Sequence, residues 1–456
     1  MATTDITHTI ICKITGWSIV SGHVEYEIRC ERALAKEKWT IKRRYKDFFR
    51  LNIQLLPFGL DLNLPPKKTF GNLKAAFIEE RKDGLQVFLD KITVHPLLYC
   101  CSAVHRFFAE NGEDEITGLY KSSLLPLRNY RNYILIKRMP EMGWRYCKMY
   151  SLVSHSATKK QQLYSWLNYG NDSCLNPTEI NDILLFLKNL HCPYLSESSL
   201  TFADQNGIGV IKDHWSTGCL RDQLYKRSPD DNFWEKYGMD NECFILNSTD
   251  LRFIIRQILE VLYILHSISY PFVFIHCGNI RITDIGCEIS DYEFTLTGQS
   301  TFNRPAMIRM KQINSIEDMM VYNFGQLMYE MISGVIVFPD YCADEAIRKL
   351  PASYQPLFKS IFLPESKLPS LSELMSHSLF NNVPVARMSQ KSIQIPGTVK
   401  ASLEKLSDQI LKRFVADRST FNEKQNREHF KEMMHSDFEK QRRKELVLAE
   451  LKNVKF

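Results

Sequence analysis

Three basic clusters in the first 85 residues constrain this chain more than any other feature. They are RRYKDF at 43–48, LPPKK at 64–68 and EERKDGL at 79–85. The two prolines of the middle cluster hold the backbone extended and exclude a helix interior. Basic side chains on a stiff turn, together with the aromatic Tyr45, suit the recognition of a phosphorylated ligand. The spacing therefore predicts one anion-binding pocket built from three separate segments.

The bulk properties indicate a folded chain of two or three domains. Its 456 residues are too many for one core, and 44% of them are hydrophobic and 24% charged. No run of about 18 uncharged apolar residues predicts a membrane span, and residues 1–10 lack the pattern of a secretory signal. The 12 cysteines are scattered without a CxxC pair, which favours reduced thiols in the cytoplasm and predicts no metal site.

Basic residues are concentrated at the two ends of the chain. Residues 1–110 carry 17 basic and 12 acidic side chains, and residues 400–456 carry 14 and 10. Because the net charge of the chain is +6, the middle is acidic. Two basic ends fit contact with an anionic surface, although solvated surface charge would give the same count. No basic stripe with interleaved aromatics is present, so no nucleic-acid partner is expected.

Hydrophobic periodicity predicts an α+β fold in several parts. Three strands and two helices are expected in the first hundred residues, at 8–20, 24–32, 39–44, 45–56 and 75–94. Strand-like runs precede helical runs between 139 and 385, which is typical of a two-lobed domain. Residues 113–138 are predicted to be a linker, and the charged residues 386–456 a helical tail.

With these motifs in order, residues 1–112 resemble a PX domain, a small fold of three antiparallel strands and helices. The resemblance implies phosphoinositide binding, with phosphatidylinositol 3-phosphate preferred. Arg44 would then hold the 3-phosphate through two hydrogen bonds, and Tyr45 would support the inositol ring. Lys67 would reach the 1-phosphate, and Arg81 would bind the ring hydroxyls.

Some roles near this pocket stay open from the sequence. Lys68 is an alternative to Lys67, and Arg43 is expected to support the fold instead of the ligand. Three apolar residues are expected to insert into the bilayer beside the pocket, namely Leu60, Leu62 and Phe70. A PX domain that binds only proteins is the competing interpretation.

Residues 139–385 resemble a protein kinase, and more closely the kinase-like domain of the PX domain-containing protein kinase-like family. The segment QILEVLYILHS at 257–267 is similar to the helix that leads into a kinase catalytic loop. VYNFGQLMYEMISG at 321–334 is similar to the central helix of the larger lobe, and LKNLHCPYL at 187–195 to the end of the regulatory helix.

The residues that transfer phosphate in a kinase are replaced in this alignment. Phe274 stands where the catalytic base is expected, and His276 where the catalytic-loop lysine is expected. Trp166 is expected in place of the nucleotide-binding lysine, and only Gly143 remains of the glycine-rich loop. Since phosphoryl transfer needs these groups together, no catalytic residue is predicted, and the domain is expected to be a pseudokinase.

Two metal-binding positions of kinases are retained, as Asn279 and Asp291. They support an alternative function, an atypical protein kinase or a nucleotide-binding regulator that uses them to hold Mg-ATP. The interpretation preferred here has no cofactor, with Asn279 and Asp291 as vestiges of a metal site.

The combined resemblance implies a non-enzymatic adaptor in membrane trafficking. Its expected partners are a phosphoinositide membrane and a protein cargo, such as a receptor or an ion pump. The expected location is the cytoplasmic face of endosomes, with the plasma membrane as a second location. Residues 445–456 are faintly similar to the end of an actin-binding WH2 motif, and the end of a charged helix is the alternative.

Overall fold

A computed structural model of the chain describes most of its residues. These are 10–32, 38–59, 61–67, 73–94, 98, 101–110, 115–140, 142, 148–237, 243–244, 246–284, 286–338, 342–388 and 393–435. Only the backbone is described for 94, 102, 115–117, 234 and 427–435.

Residues 10–44 form a three-stranded antiparallel sheet, which confirms the prediction. The strands β1 (Ile10–Val20), β2 (His23–Arg32) and β3 (Lys38–Arg44) pair in that order. Gly22 turns the chain between β1 and β2 at φ 77°, a left-handed conformation that glycine adopts without a Cβ clash. Side chains at alternate positions of β2, such as Tyr26 and Ile28, are fully buried.

Three helices cover one face of this sheet. They are α1 (Tyr45–Leu55), which a single 3-10 turn follows at Leu56–Phe58, α2 (Ala75–Val94) and α3 (Ser102–Phe108). Phe48 of α1 lies at the centre of their contact. Its ring centroid is 6.2 Å from those of Tyr26 and Phe88, and 5.0 Å from that of Phe107. One buried ring thus joins a strand and three helices.

The proline segment packs directly on α2. A Cβ atom on Gly84 would lie 2.5 Å from Cγ of Pro65, so only glycine admits this approach. The ammonium of Lys91 donates to the carbonyl of Asp61 at 2.7 Å and ties the start of the segment to the same helix. Leu62 is 3% exposed and belongs to the core. The prediction that Leu62 inserts into a bilayer is therefore wrong, because its apolar side chain is already used in packing.

A second antiparallel sheet of five strands follows, in the order β4-β5-β6-β8-β7. Its strands are β4 (Tyr133–Arg138), β5 (Lys148–His155), β6 (Gln161–Asn168), β7 (Ser198–Ala203) and β8 (Gly207–Asp213). Helix α4 (Glu115–Leu127) precedes the sheet and α5 (Pro177–Lys188) lies between β6 and β7.

The predicted linker 113–138 is therefore wrong, since it contains α4 and the edge strand β4. Tyr164 of β6 donates to the carbonyl of Ser123 at 2.6 Å and holds α4 on the sheet. Neither element has a strong sequence signal, because the start of α4 is polar and β4 is exposed on both faces. The kinase-like region begins before residue 139.

The larger lobe is mainly helical, as the sequence predicted. Its elements are α6 (Leu220–Leu224), α7 (Phe233–Tyr237), α8 (Ser248–Ser267), β9 (Ile280–Thr283), β10 (Gly286–Ile289), α9 (Arg304–Arg309), α10 (Ile316–Ser333), α11 (Ala343–Arg348), α12 (Gln355–Phe362) and α13 (Leu371–Met375). Single 3-10 helices occur at Cys277–Asn279, Tyr292–Thr297 and Ser378–Phe380. Side-chain oxygens of Asn247 and Ser315 cap α8 and α10, whose apolar faces form the core.

A long helix, α14 (Gly397–His435), follows the larger lobe. Leu403 and Leu406 are fully buried, and the ammonium of Lys405 is 3.0 Å from Glu179 of α5. The chain divides into one compact unit that ends at Leu411 and a second that begins at Lys412. The predicted charged helical tail, residues 386–456, thus includes α14, whose first turns lie in the first unit and whose remaining residues lie in the second.

Among the residues described, none of the helices has the length and apolar character that crossing a membrane requires.

Candidate functional site

The side chain of Tyr45, one of the four predicted head-group residues, contacts the two other basic segments. Arg44 ends β3, and Tyr45 is the first residue of α1. The hydroxyl of Tyr45 donates to the carbonyl of Pro65 at 2.6 Å, two residues before Lys67. The guanidinium carbon of Arg81, on α2, is 4.4 Å from the centre of the same ring. One aromatic side chain therefore links the three basic segments that are separate in the sequence.

Arg81 is held more tightly than the sequence suggested. It is 7% exposed, and its guanidinium lies 4.2 Å from the ring centre of Phe77 as well as against Tyr45. Burial raises the pKa of the nearby Tyr26, and the positive charge of Arg81 opposes that rise. Arg81 is therefore stacked between two rings, and it covers a face of Tyr45 that was expected to support a sugar. Phe77 lies one helical turn before Arg81, and this spacing is the signal that could have identified it.

The neighbouring arginines of β3 have different roles. Arg43 donates to the carbonyls of Phe107, Lys42 and Ala109 at 2.8, 2.9 and 2.5 Å, and it supports the fold as expected. The backbone N–H of Arg44 donates to the carboxylate of Asp47 at 2.8 Å. Within the described part of the chain, the half-buried Arg44 side chain has no ion pair. Successive strand residues point to opposite faces, which separates the two roles.

Lys67 is exposed at the end of the proline segment. No ion pair involves it among the described residues. Lys68, Leu60 and Phe70, which were predicted to contribute a phosphate contact or a bilayer contact, lie outside the described residues. Of the predicted head-group residues, Arg44 is thus half-buried, Arg81 is buried against the Tyr45 ring, and Lys67 is exposed on the segment that the Tyr45 hydroxyl contacts.

A second cluster of charges lies in the cleft between the two lobes of the kinase-like region. The ammonium of Lys148, on β5, is 2.6 Å from Asp291 and 2.8 Å from Glu293. The ammonium of Lys212, on β8, is 2.9 Å from the same oxygen of Asp291. These four side chains are between 0% and 5% exposed. The backbone of Asp291 has a left-handed conformation, with φ at 64°.

The retained Asn279 is engaged by its own loop. Its amide nitrogen donates to the carbonyl of Phe274 at 2.7 Å, and its amide oxygen accepts from the N–H of His276 at 3.0 Å. A ring nitrogen of His276 accepts from the N–H of Gly278 at 3.0 Å, so this histidine is a structural cap.

Phe274 is part of an apolar stack across the cleft. Its ring lies 3.7 Å from that of Phe294, with 13° between the ring planes, and Leu167 of β6 packs against both. Phenylalanine has no proton acceptor, so the position where a catalytic base is expected lacks one.

The expected place of Trp166 is not supported by the structure. Trp166 packs with Leu127 and Tyr164 on the sheet face that α4 covers. Its neighbour Leu167 lies on the other face, toward the cleft. Because strand side chains alternate, a shift of one residue reverses the face, and Trp166 packs away from the cleft that Leu167 faces. Among the described residues, no cluster of three or more histidine, cysteine or carboxylate side chains could hold a metal ion.

Comparisons with known proteins agree with both parts of this architecture. The family model described as PX domain matches residues 32–111. Sorting nexin-16 of mouse is 44% identical over 100 residues, which are 21% of this chain and 29% of that protein. The "Probable inactive serine/threonine-protein kinase slob2" of Dictyostelium discoideum is 27% identical over 254 residues, 53% of this chain and 41% of its own.

One similarity extends through both regions. The "PX domain-containing protein kinase-like protein" of rat is 30% identical over 423 residues, which cover 90% of this chain and 71% of the rat protein. Its mouse counterpart matches with the same identity and coverage. Because this similarity spans the basic pocket and the two-lobed region together, the chain belongs to the PX domain-containing protein kinase-like family.

Proposed function

We propose that this chain is a phosphoinositide-binding adaptor whose kinase-like region recognises partners and transfers no phosphate. The observation that supports it best is the Tyr45 ring, which joins Arg44, the proline segment and Arg81. An inositol phosphate carries about two negative charges on each phosphomonoester. Arg44 and Lys67 lack an ion pair among the described residues, so they can supply the opposite charge.

In the proposed complex, Arg44 binds the 3-phosphate of phosphatidylinositol 3-phosphate with its planar fork. This choice follows from its half-buried place at the end of β3, since a rigid guanidinium suits bidentate phosphate contact. Lys67 contacts the 1-phosphate as a point charge, and Arg81 contacts ring hydroxyls from within its aromatic stack. The lipid places the protein on endosomal membranes.

The kinase-like region acts as a scaffold in this proposal. Phe274 offers no base, and the carboxylate of Asp291 is bound by two ammonium groups. Retention of Asn279 and Asp291 favours the second candidate, a nucleotide-binding regulator or atypical kinase. Against that candidate, the amide of Asn279 is engaged with the loop backbone.

The proposed partners are a phosphoinositide membrane and protein cargo, such as receptors or ion pumps in transit. A single head-group pocket gives modest affinity, so the basic C-terminal segment or a second partner would strengthen attachment by raising the effective concentration. Actin is a further proposed partner for residues 445–456, which lie outside the described residues.

Sedimentation with liposomes that each carry one phosphoinositide tests the proposal. We expect binding of the wild-type chain to require a 3-phosphate and to weaken by about 10- to 100-fold in Arg44→Ala, because a charge-assisted phosphate contact is lost. Lys46→Ala is the matched control, since Lys46 is an exposed basic residue two positions away. Circular dichroism checks that both variants fold.

Equal binding of the wild type to neutral and to phosphoinositide liposomes would contradict lipid recognition. Equal losses in Arg44→Ala and Lys46→Ala would show general charge attraction without a pocket.

A further inference from the structure

We infer that Lys148 and Lys212 are built-in counter-cations of the interlobe cleft. They take the place that a metal ion and nucleotide hold in a kinase. The cleft is then closed by protein groups alone and does not bind Mg-nucleotide. This inference concerns the kinase-like region and is independent of lipid binding by the pocket around Tyr45.

The charges in the cleft are already balanced. Two ammonium groups face two carboxylates, and every side chain of the set is at most 5% exposed. The two lysines come from strands β5 and β8 of the smaller lobe, whereas Asp291 and Glu293 belong to the larger lobe. The ion pairs therefore connect the lobes directly, as a bound metal–nucleotide does from between them.

A metal ion does not fit this arrangement. Mg²⁺ needs oxygen ligands at about 2.0–2.1 Å in octahedral geometry. One oxygen of Asp291 has ammonium groups at 2.6 and 2.9 Å, so a divalent cation at this oxygen would face two like charges. The amide oxygen of Asn279 already accepts an N–H bond. Both retained metal-binding residues of the family pattern are thus engaged by the chain itself.

The space beside the charges is filled by apolar groups. Phe274 and Phe294 stack at 3.7 Å, and Leu167 of the smaller lobe packs on both rings. A triphosphate next to this stack would lose water without gaining polar partners, which is costly for a charged group.

Backbone contacts also join the two lobes, between the segment that follows β6 and residues 297–298. The N–H of Gly170 donates to the carbonyl of Thr297 at 2.8 Å, and the N–H of Asp172 donates to that of Gly298 at 3.1 Å. A Cβ atom on Gly170 would lie 2.4 Å from the Gly298 carbonyl oxygen, so only glycine allows this approach. The guanidinium of Arg304 is 2.8 Å from Asp172 and reinforces the same contact.

Thermal unfolding of the wild-type chain in Mg-ATP is the first test. Nucleotide at a hundred times its dissociation constant would lower the unfolding equilibrium constant about 100-fold. We expect no change in the unfolding midpoint with Mg-ATP, Mg²⁺ alone or EDTA. A midpoint that rises in Mg-ATP, and no longer rises in Asp291→Ala, would overturn the inference.

The second test removes the counter-cations. Lys148→Met with Lys212→Met removes the two ammonium groups that contact Asp291 and Glu293, so we expect lower stability that Mn²⁺ restores. Lys236→Met is the matched control, because Lys236 is also fully buried and 3.3 Å from a carboxylate, that of Asp222, outside the cleft. We expect the control to lose stability and to show no Mn²⁺ response.

A double variant that does not fold is replaced by Lys212→Met, which retains Lys148 between the two carboxylates. We expect a smaller loss of stability there, with a Mn²⁺ response that the wild type lacks. Equal Mn²⁺ responses in this variant, the wild type and Lys236→Met would contradict a specific role for the cleft lysines.

Discussion

The pocket around Tyr45 and the interlobe cleft both collect basic side chains from distant segments, yet their charges are balanced differently. In the pocket, Arg44 and Lys67 have no ion pair within the described residues. In the cleft, Lys148 and Lys212 each contact a carboxylate at 2.9 Å or less. Basic side chains without carboxylate partners can bind an outside anion, whereas loss of one member of a balanced, buried cluster destabilises the fold. The position of the carboxylates, more than the number of lysines and arginines, therefore distinguishes a site that can bind an anion from an internal ion-pair cluster.

The largest expected effect comes from removing one lysine of the ion-pair cluster in the cleft. Lys148→Met leaves Glu293 without its ammonium partner, and removal of one member of a buried ion pair costs about 3–5 kcal/mol in the free energy of unfolding. Chemical denaturation measures the loss. The control is Lys137→Met, whose exposed pair with Asp230 should contribute about 0–1 kcal/mol. Similar losses of unfolding free energy in both variants would show that the buried cluster contributes no more than an exposed ion pair.

Gly298→Ala should open the cleft without affecting the pocket. Gly298 has φ 70°, and its Cβ would lie 2.1 Å from the N of Ser173. The left-handed backbone alone costs about 1–2 kcal/mol for a non-glycine residue, and the clash adds to it. We expect faster amide hydrogen exchange at 168–173 and 297–299, with unchanged liposome binding. Gly16→Ala is the control, since nothing lies within 4 Å of its added Cβ.

Phe77→Ala tests how the pocket orders its buried arginine. The variant removes one of the two rings that flank Arg81, and a partly desolvated cation–π contact contributes about 0.5–2 kcal/mol. We therefore expect head-group affinity to fall by about 2- to 30-fold, and Phe77→Tyr to retain it. Titration with a soluble inositol phosphate measures the affinity. Val87→Ala, an exposed apolar residue of the same helix, should leave affinity unchanged.

The smallest expected effect is a pH dependence at His214, which directly follows the strand that carries Lys212. Burial lowers the pKa of His214 below its usual 6.5, and the charge of Lys137 lowers it further, against the opposing charge of Asp230. Because the unfolded chain binds a proton that the folded chain does not, stability present above pH 6.5 is lost as the pH falls below it. Denaturation between pH 7.5 and about 5.5 should show this loss in the wild type. His214→Gln should show less of it, and an unchanged profile would reject the assignment.

Much of the first domain could be predicted from the sequence because its signals are local. Alternating apolar and polar residues predicted the three strands. The order of RRYKDF, LPPKK and EERKDGL predicted which basic residues bind the head group. The expectation for Leu62 failed, since a leucine beside a basic turn has the same pattern whether it faces a bilayer or the core. Leu62 is only 3% exposed, and only the packing of the whole domain determines which leucines are buried.

In the kinase-like region, sequence patterns identified the long helices and missed the weaker elements. Helix α4 and strand β4 were expected to be a linker because one begins in polar residues and the other is exposed on both faces. Trp166 was expected in place of the nucleotide-binding lysine, yet it packs on the sheet face that α4 covers, and a shift of one residue exchanges the two faces of a strand. Lys148 and Lys212 had no sequence signal at all, because the carboxylates they contact lie 79 or more residues away.

By itself, the sequence determined the class of each domain and the basic residues available for an anion, because residue type and periodicity are local properties. The tertiary structure alone decided which arginine of the pair 43–44 supports the fold, which ring holds Arg81, and that Asp291 is neutralised by lysines from two strands. These outcomes depend on distances between residues far apart in the chain, and only the folded backbone sets those distances.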